Sequence, residues 1–247
     1  MSWKVYNNLA WTEEIIAPAD SYKEEAGFYV ETLLKYLNNH TPTLLHFGCG
    51  AGGHDYHFKR YFSVTGVDIS NGMLEIARKR NPEVNYLNGD MRTINLDRCY
   101  DVCVIPDSIM YMNTLEDLKA TIENAISHLN PGGLLLVVTH TKEDFIENNF
   151  VYTGEKDNIH ITMFENNYIV SNSTYEATLV CLIRRDEEIS VHYEIHTLGL
   201  FPYHQWIDIF EEHRLKVEEI NLDHLYDQYL FEAGEYKLKV FIGILMI

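Results

Sequence analysis

The chain has 247 residues, 46% of them hydrophobic and 13% aromatic, which is enough apolar material for one large α/β domain and argues against disorder. Its 37 acidic against 19 basic residues give a formal charge of −18, a field that repels phosphate backbones, and no Lys/Arg-rich patch interrupts it. This argues against nucleic acid as a partner. No apolar run approaches membrane-spanning length, the opening M-S-W-K-V-Y-N-N has no leader-like apolar region, and Cys49, Cys99, Cys103 and Cys181 show neither C-x-x-C nor zinc spacing, so a cytoplasmic chain with no membrane partner is expected.

In chain order, Val5-Tyr6-Asn7-Asn8 and Trp11 are too aromatic for a free tail and are expected to fold over the core or a pocket mouth. Ser21-Tyr22-Lys23-Glu24 has the form of a capping box, and Ala26, Tyr29, Val30, Leu33, Leu34 and Leu37 recur at helical spacing, predicting a helix over 21–39. An apolar strand over Thr43–Phe47 ends abruptly in glycines at 48, 50, 52 and 53. A second strand, Ser63–Val67, ends at Asp68. Glycine lets a ligand approach the backbone with no Cβ in the way. An acid about 20 residues beyond the first glycine is placed to accept hydrogen bonds from a ribose diol. This βαβ unit therefore points to a nucleoside-type ligand.

Ser70 is the expected N-cap of a helix through Arg80, with Met73, Ile76 and Ala77 inward. Strands follow at Val84–Leu87, before Asn88-Gly89-Asp90-Met91-Arg92, and at Tyr100–Ile105, a continuous apolar run of the kind a two-sided buried sheet needs. Thr114 caps a helix striped by Leu115, Leu118, Ile122, Ala125, Ile126 and Leu129. An Asn130-Pro131-Gly132-Gly133 turn then leads into a fifth strand over Leu134–Val138. Strands alternating with helices over 43–140 predict a doubly wound parallel sheet. The pattern then changes: Ile159–Phe164, Thr174–Arg184 and Glu188–Leu200 alternate without helices, predicting an inserted antiparallel flap. Pro202 opens a helix to His213 with Trp206, Ile209 and Phe210 inward, and Leu215–Asn221 and Lys237–Ile247 are closing strands.

Gly48-x-Gly50-x-x-Gly53 formally satisfies the dinucleotide pattern, so an NAD(P)-dependent oxidoreductase is one alternative. Three features point elsewhere: a helix precedes the unit, Asp90 in its G-D-M setting suits the exocyclic amine of an adenine, and the L-N-P-G-G turn precedes the fifth strand. Together F-G-C-G-A-G, G-V-D-I-S, N-G-D-M-R, Y-D-V-C-V-I-P-D-S and L-N-P-G-G resemble the class I S-adenosylmethionine-dependent methyltransferases, over roughly residues 21–140. The early V-Y, S-Y-K-E-E-A and the late flap look most like the enzymes that N-methylate nucleotide-linked amino sugars.

The resemblance implies a Rossmann-like, mostly parallel seven-stranded α/β sheet with an antiparallel last strand. It implies a single methyltransferase domain over 1–247, with an N-terminal helical lid at 1–40 and the flap at 150–200. It implies S-adenosyl-L-methionine as cofactor and N-methylation of a small-molecule acceptor by in-line displacement. Gly48, Gly50 and Gly52 would line the methionine half of the cofactor, and Asp68 would bind the ribose with Ile69 beside the adenine. Asp90 and Met91 would hold the adenine edge, Pro106 would pass near the sulfonium, and Tyr22 would close over the site. His46 stands where the family usually has an acid, which motivates a second alternative, a cofactor-binding protein without catalysis.

An amine must lose its proton to become nucleophilic. His140, just past the fifth strand, is the candidate base, and Tyr6, Asp107, Tyr111 and His196 are candidate substrate contacts, with His54 a further one. No H-x-H or carboxylate cluster argues for a metal. The protruding flap is a candidate homodimer surface.

Overall fold

The computed structural model describes residues 3–37 and 41–246. The elements in chain order are α1 (Glu13–Ile16), α2 (Lys23–Leu34), β1 (Thr43–Phe47), α3 (Asp55–Phe58), β2 (Ser63–Asp68), α4 (Asn71–Arg80), β3 (Asn85–Asn88), β4 (Tyr100–Ile105), α5 (Leu115–Ser127), β5 (Leu129–Thr139), β6 (Asn148–Lys156), β7 (Ile159–Ile169), β8 (Thr174–Arg185), β9 (Glu188–Gly199), α6 (Tyr203–Glu212), β10 (Leu215–Asp223) and β11 (Lys237–Leu245). The strands form two sheets. Seven run in the order β10-β11-β5-β4-β1-β2-β3, and β6-β7-β8-β9 form a separate antiparallel sheet. Strands β1 to β5 pair in parallel, while β11 runs antiparallel to both β5 and β10, so the expected mixed seven-stranded sheet and antiparallel flap are present.

Period-two side-chain alternation explains how the large sheet is covered on both faces. Leu44, Val102, Val104, Leu136 and Val240 point to one side, against Tyr29 and Leu33 of α2, Phe58 of α3 and Leu74 of α4. Leu45, Phe47, Cys103, Ile105, Val137 and Phe241 point to the other, against Leu118 and Ile122 of α5 and Trp206, Ile209 and Phe210 of α6. Burying each such side chain contributes about 1.5–3 kcal/mol. Two of the three N-caps read from the sequence hold: Ser70 Oγ accepts the Met73 N–H at 3.2 Å and Thr114 Oγ1 accepts the Asp117 N–H at 3.1 Å.

Three local expectations are corrected. Ser21 does not cap α2; it lies in a 3-10 turn over Ala19–Tyr22, its hydroxyl donates to the Pro18 carbonyl, and the helix starts at Lys23 with no side-chain cap. The expected helix end at 38–39 lies outside the described residues, as does Ile247. Asn130-Pro131-Gly132-Gly133 is not a turn before the fifth strand but an irregularity inside β5, where the register with β4 shifts between Tyr100 and Val102 and Gly132 takes φ +78°. Leu115 is exposed at the start of α5 rather than inward. The flap also holds one strand more than the periodicity showed: β6 carries polar residues on both faces, so it has no alternation to read.

Candidate active site

The sheet order reverses between β1 and β4, and open α/β sheets bind ligands in the crevice beyond the carboxyl ends of strands at such a point. Here a cavity of about 550 Å³ opens. Its floor is Gly48–Ala51 after β1, Asp68–Ser70 after β2, Gly89–Arg92 after β3 and Pro106–Ser108 after β4; its roof is the N-terminal segment and the flap.

The glycine loop is built from left-handed backbone, with φ of +69°, +52° and +71° at Gly48, Gly50 and Gly52. Gly48 cannot carry a side chain, because a Cβ there would lie 2.1 Å from Ser108 Oγ, and Ser108 in turn donates to the Phe47 carbonyl at 3.1 Å. A Cβ on Gly50 would meet nothing within 4 Å, so its backbone faces open space. Asp68 holds the loop: Oδ2 accepts the Gly50 N–H at 2.8 Å and Oδ1 the Ser70 N–H at 2.7 Å. Burial pushes the Asp68 carboxyl upward, opposed by those two N–H groups. Asp90 is chelated by Arg92 (Nη2 to Oδ2 2.6 Å), whose other nitrogen reaches Asp117 at 2.8 Å, and this pairing holds Asp90 below the usual carboxylate range.

Beyond β4, Asp107 takes φ +53°, a strained conformation for a non-glycine residue and one that clusters at functional sites. Its Oδ1 is buried without a hydrogen-bond partner. Burial and the neighbouring Glu25 charge push its carboxyl up to about 7, against the pull of His54 and the Tyr226 hydroxyl. Glu25 and His54 form a buried ion pair at 3.0 Å, and Glu25 also accepts from Tyr29 (2.5 Å) and Tyr226 (2.9 Å). Burial opposes both charges, yet the pair keeps Glu25 low and His54 high.

The N-terminal segment is tied across the cavity from both sides. Its Tyr6 carbonyl accepts from Ser70 Oγ, while Glu194 of β9 accepts the Lys4 and Val5 N–H groups. Beneath it the Tyr6 and Tyr111 hydroxyls meet at 2.5 Å, and Tyr111 continues to His196 Nδ1 at 2.9 Å. Burial lowers the His196 pKa, and the nearby Glu194 offsets this only in part. The flap contributes Tyr152, Glu165 and Tyr175, and the C-terminal region Tyr226 and Tyr236.

Residues 44–133 match the methyltransferase domain family. The match runs from β1 into the start of β5 and carries the glycine loop, Asp68 and Asp90. The chain is 36% identical over 118 residues to a Streptomyces venezuelae dTDP-3-amino-3,4,6-trideoxy-alpha-D-glucopyranose N,N-dimethyltransferase, covering 47% of this chain and 49% of that protein. It thus spans about half the length of the curated relatives it matches first. Among solved structures, DesVI of Streptomyces venezuelae superposes with a TM-score of 0.76 at 23% identity, covering 91% of this chain and 92% of that one. SAM-bound CalS10, described as an amino pentose methyltransferase from Micromonospora echinaspora, superposes at 0.73 with 20% identity, over 90% and 91%. The class I resemblance read from the motifs is therefore correct. The cavity fits the cofactor that this resemblance implies, because the Gly50 backbone is open and the half-buried Asp68 carboxylate lies beside it.

Of the residues singled out from the sequence, Tyr6, Tyr22, Gly48, Gly50, Asp68, Ile69, Asp90, Met91, Pro106, Asp107, Tyr111 and His196 line this one cavity. Three do not. His46 lies behind the loop, its Nδ1 2.7 Å from Asp55 Oδ1. Gly52 packs inward, where a Cβ would sit 2.6 Å from the Tyr86 hydroxyl. His140 is buried with both nitrogens engaged, Nδ1 to the Lys237 carbonyl at 3.0 Å and Nε2 to the Tyr236 hydroxyl at 2.7 Å, and burial depresses its pKa to about 4. A ring so committed supports Tyr236 instead of meeting a substrate. Sequence reading missed Glu165, Tyr152, Tyr236 and Glu25. Glu25 stood next to the supposed capping box; the others lie in segments whose pattern reports only a strand or a loop.

Proposed function

We propose that this chain is a methyltransferase that N-methylates a primary or secondary amine on a small polyhydroxylated molecule. The observation that carries this reading is the crevice at the β1/β4 reversal, where an open glycine backbone clamped by Asp68 adjoins a strained Asp107 whose Oδ1 is unpartnered. Gly48, Gly50, Asp68, Ile69, Asp90 and Met91 would hold the cofactor, with Tyr22 and Pro106 flanking it. When bound, S-adenosylmethionine supplies an activated methyl group on a sulfonium.

The chain's own residues do the rest. The lid and flap exclude water and align the acceptor nitrogen, which must lie about 3–3.5 Å from the methyl carbon. Asp107, poised near neutrality, takes the ammonium proton on Oδ1, and a base with such a pKa is efficient at neutral pH. Burial raises that pKa, Glu25 beside it adds to the rise and His54 opposes it. His140 acts one step back as a positioning residue for Tyr236. One domain with an N-terminal lid and an inserted flap is the organisation we favour. The acidic charge supports a small-molecule acceptor over nucleic acid, and no helix among the described residues is long and apolar enough to cross a membrane. A cytoplasmic location is part of the same proposal.

Two copies would associate through the outer face of the flap, where Phe164, Ile189, Val191, Tyr193 and Ile195 are exposed together and Tyr193 retains 71% of its surface. Strands spaced ~4.8 Å apart and ~30 Å long present a face on the order of 600 Å², against about 800 Å² per partner in a standard interface. Arg184 stands at one end of this face and Glu176 at the other, so a two-fold antiparallel arrangement would bring the two together.

Calorimetric titration with S-adenosylhomocysteine tests the central reading. Saturable binding, abolished by Gly50→Val, is expected; absence of heat would sink the proposal.

A further inference from the structure

Six carboxylates line the cavity, from Glu13, Asp68, Asp90, Asp107, Asp117 and Glu165, against a single guanidinium, Arg92. No lysine is among the lining residues. Arg92 is already committed, since it binds Asp90 and Asp117 at once. The carboxylates differ in what compensates them. Asp68 has two backbone N–H groups and Glu13 has the Tyr22 hydroxyl at 2.7 Å. Glu165 receives only an amide N–H from Asn167 at 2.9 Å and the neighbouring Tyr152 hydroxyl, and Asp107 Oδ1 receives nothing.

Glu165 lines the cavity together with Tyr6, Tyr111, Tyr152, Tyr175 and Tyr236, and its charge acts on all five, which burial keeps as neutral phenols. A buried carboxylate without a cation is costly. A carboxylate among phenols is, conversely, a receptor for an organic ammonium, which can pair with the carboxylate and pack against aromatic rings. A nucleoside diphosphate brings about two negative charges, and among the described lining residues the cations Arg92 and His54 are already paired with carboxylates.

Resting on the methyltransferase reading above, we infer that Glu165 and Asp107 admit the acceptor as a free organic ammonium, an amino sugar or similar amine without a phosphate group. This departs from the nucleotide-linked acceptor named for the relative in Streptomyces venezuelae. The departure arises on the flap, which lies downstream of the family match ending at residue 133. Glu165 then selects charge, while Asp107 sits at the strand end that receives the proton.

Calorimetry on protein saturated with S-adenosylhomocysteine separates the two readings, because failure to saturate refutes the methyltransferase reading alone. To the saturated protein, 3-amino-3-deoxyglucose, spermidine, dTDP and a dTDP-linked amino sugar are added in turn. Binding of at least one free amine is expected, weakened at least tenfold by Glu165→Gln and by Asp107→Asn with S-adenosylhomocysteine affinity kept, and dTDP is expected to give no heat. Tighter binding of dTDP or of the dTDP-linked sugar, an unchanged affinity for the amine in both variants, or heat from neither amine overturns the inference.

Discussion

His46 Nδ1 lies 2.7 Å from Asp55 Oδ1, with both side chains buried. Asp55 Oδ2 also accepts from the Tyr86 hydroxyl at 2.9 Å, and Tyr86 receives an amide N–H from Asn81, whose other contact is the Gly52 carbonyl. The glycine loop is therefore braced from behind by a polar network. The negative charge absent from position 46 sits nine residues later, at the start of α3.

This relation reverses the simplest expectation for His46→Asp. Restoring the usual acid would set two carboxylates against each other in a dry site instead of repairing a weak cofactor site. Leaving a buried carboxylate without its partner costs about 3–5 kcal/mol. The variant should show a lower urea midpoint and weaker S-adenosylhomocysteine binding, and His46→Asp combined with Asp55→Asn should recover much of the stability. Tighter binding in the single variant would contradict the bracing role.

Gly50→Val should separate binding from folding. No atom opposes a side chain there, so the cost to the fold is the left-handed backbone at φ +52°, about 1–2 kcal/mol. The same side chain projects into the cavity. A small drop in Tm with complete loss of calorimetric binding is expected.

The rate should depend on pH through Asp107. Its carboxyl is pushed up to about 7, and the active form is the carboxylate, so kcat/KM should rise through neutrality and fall as pH drops below about 7. Asp107→Asn should remove that step and lower kcat by about 10²–10⁴-fold. A pH profile still bending near 7 in the variant would assign the titration to another group.

His140 makes an independent prediction about stability. Its folded pKa is depressed to about 4, so the unfolded chain takes up the proton first as pH falls. The stability is present above the ordinary value near 6.5 and is lost between about 6.5 and 4, amounting to about 3 kcal/mol. Urea unfolding across that range should steepen accordingly, and His140→Gln should flatten the difference.

The outer face of the flap predicts the oligomeric state. Sedimentation should give a dimer for the native chain and a monomer for the double variant Val191→Glu and Tyr193→Glu, with S-adenosylhomocysteine binding kept. A native monomer would remove the proposed interface.

What the sequence determined by itself was local and periodic. The abrupt end of β1 in glycines, the Ser70 and Thr114 caps, and the two-sided apolar run of β4 each depend on neighbours a few residues away, so the α/β class and the loops that floor the cavity could be read directly. Tertiary structure alone decided the rest. Glu25, Asp107 and Tyr226 meet although up to 201 residues separate them, and nothing in the local pattern of any one of them signals the others. The same holds for His140, which the order of the chain put at the mouth of the pocket and packing turned toward Lys237 and Tyr236. Strand position fixes which end of a sheet a residue reaches; whether its side chain meets ligand or protein is settled by what folds over it from a distant segment.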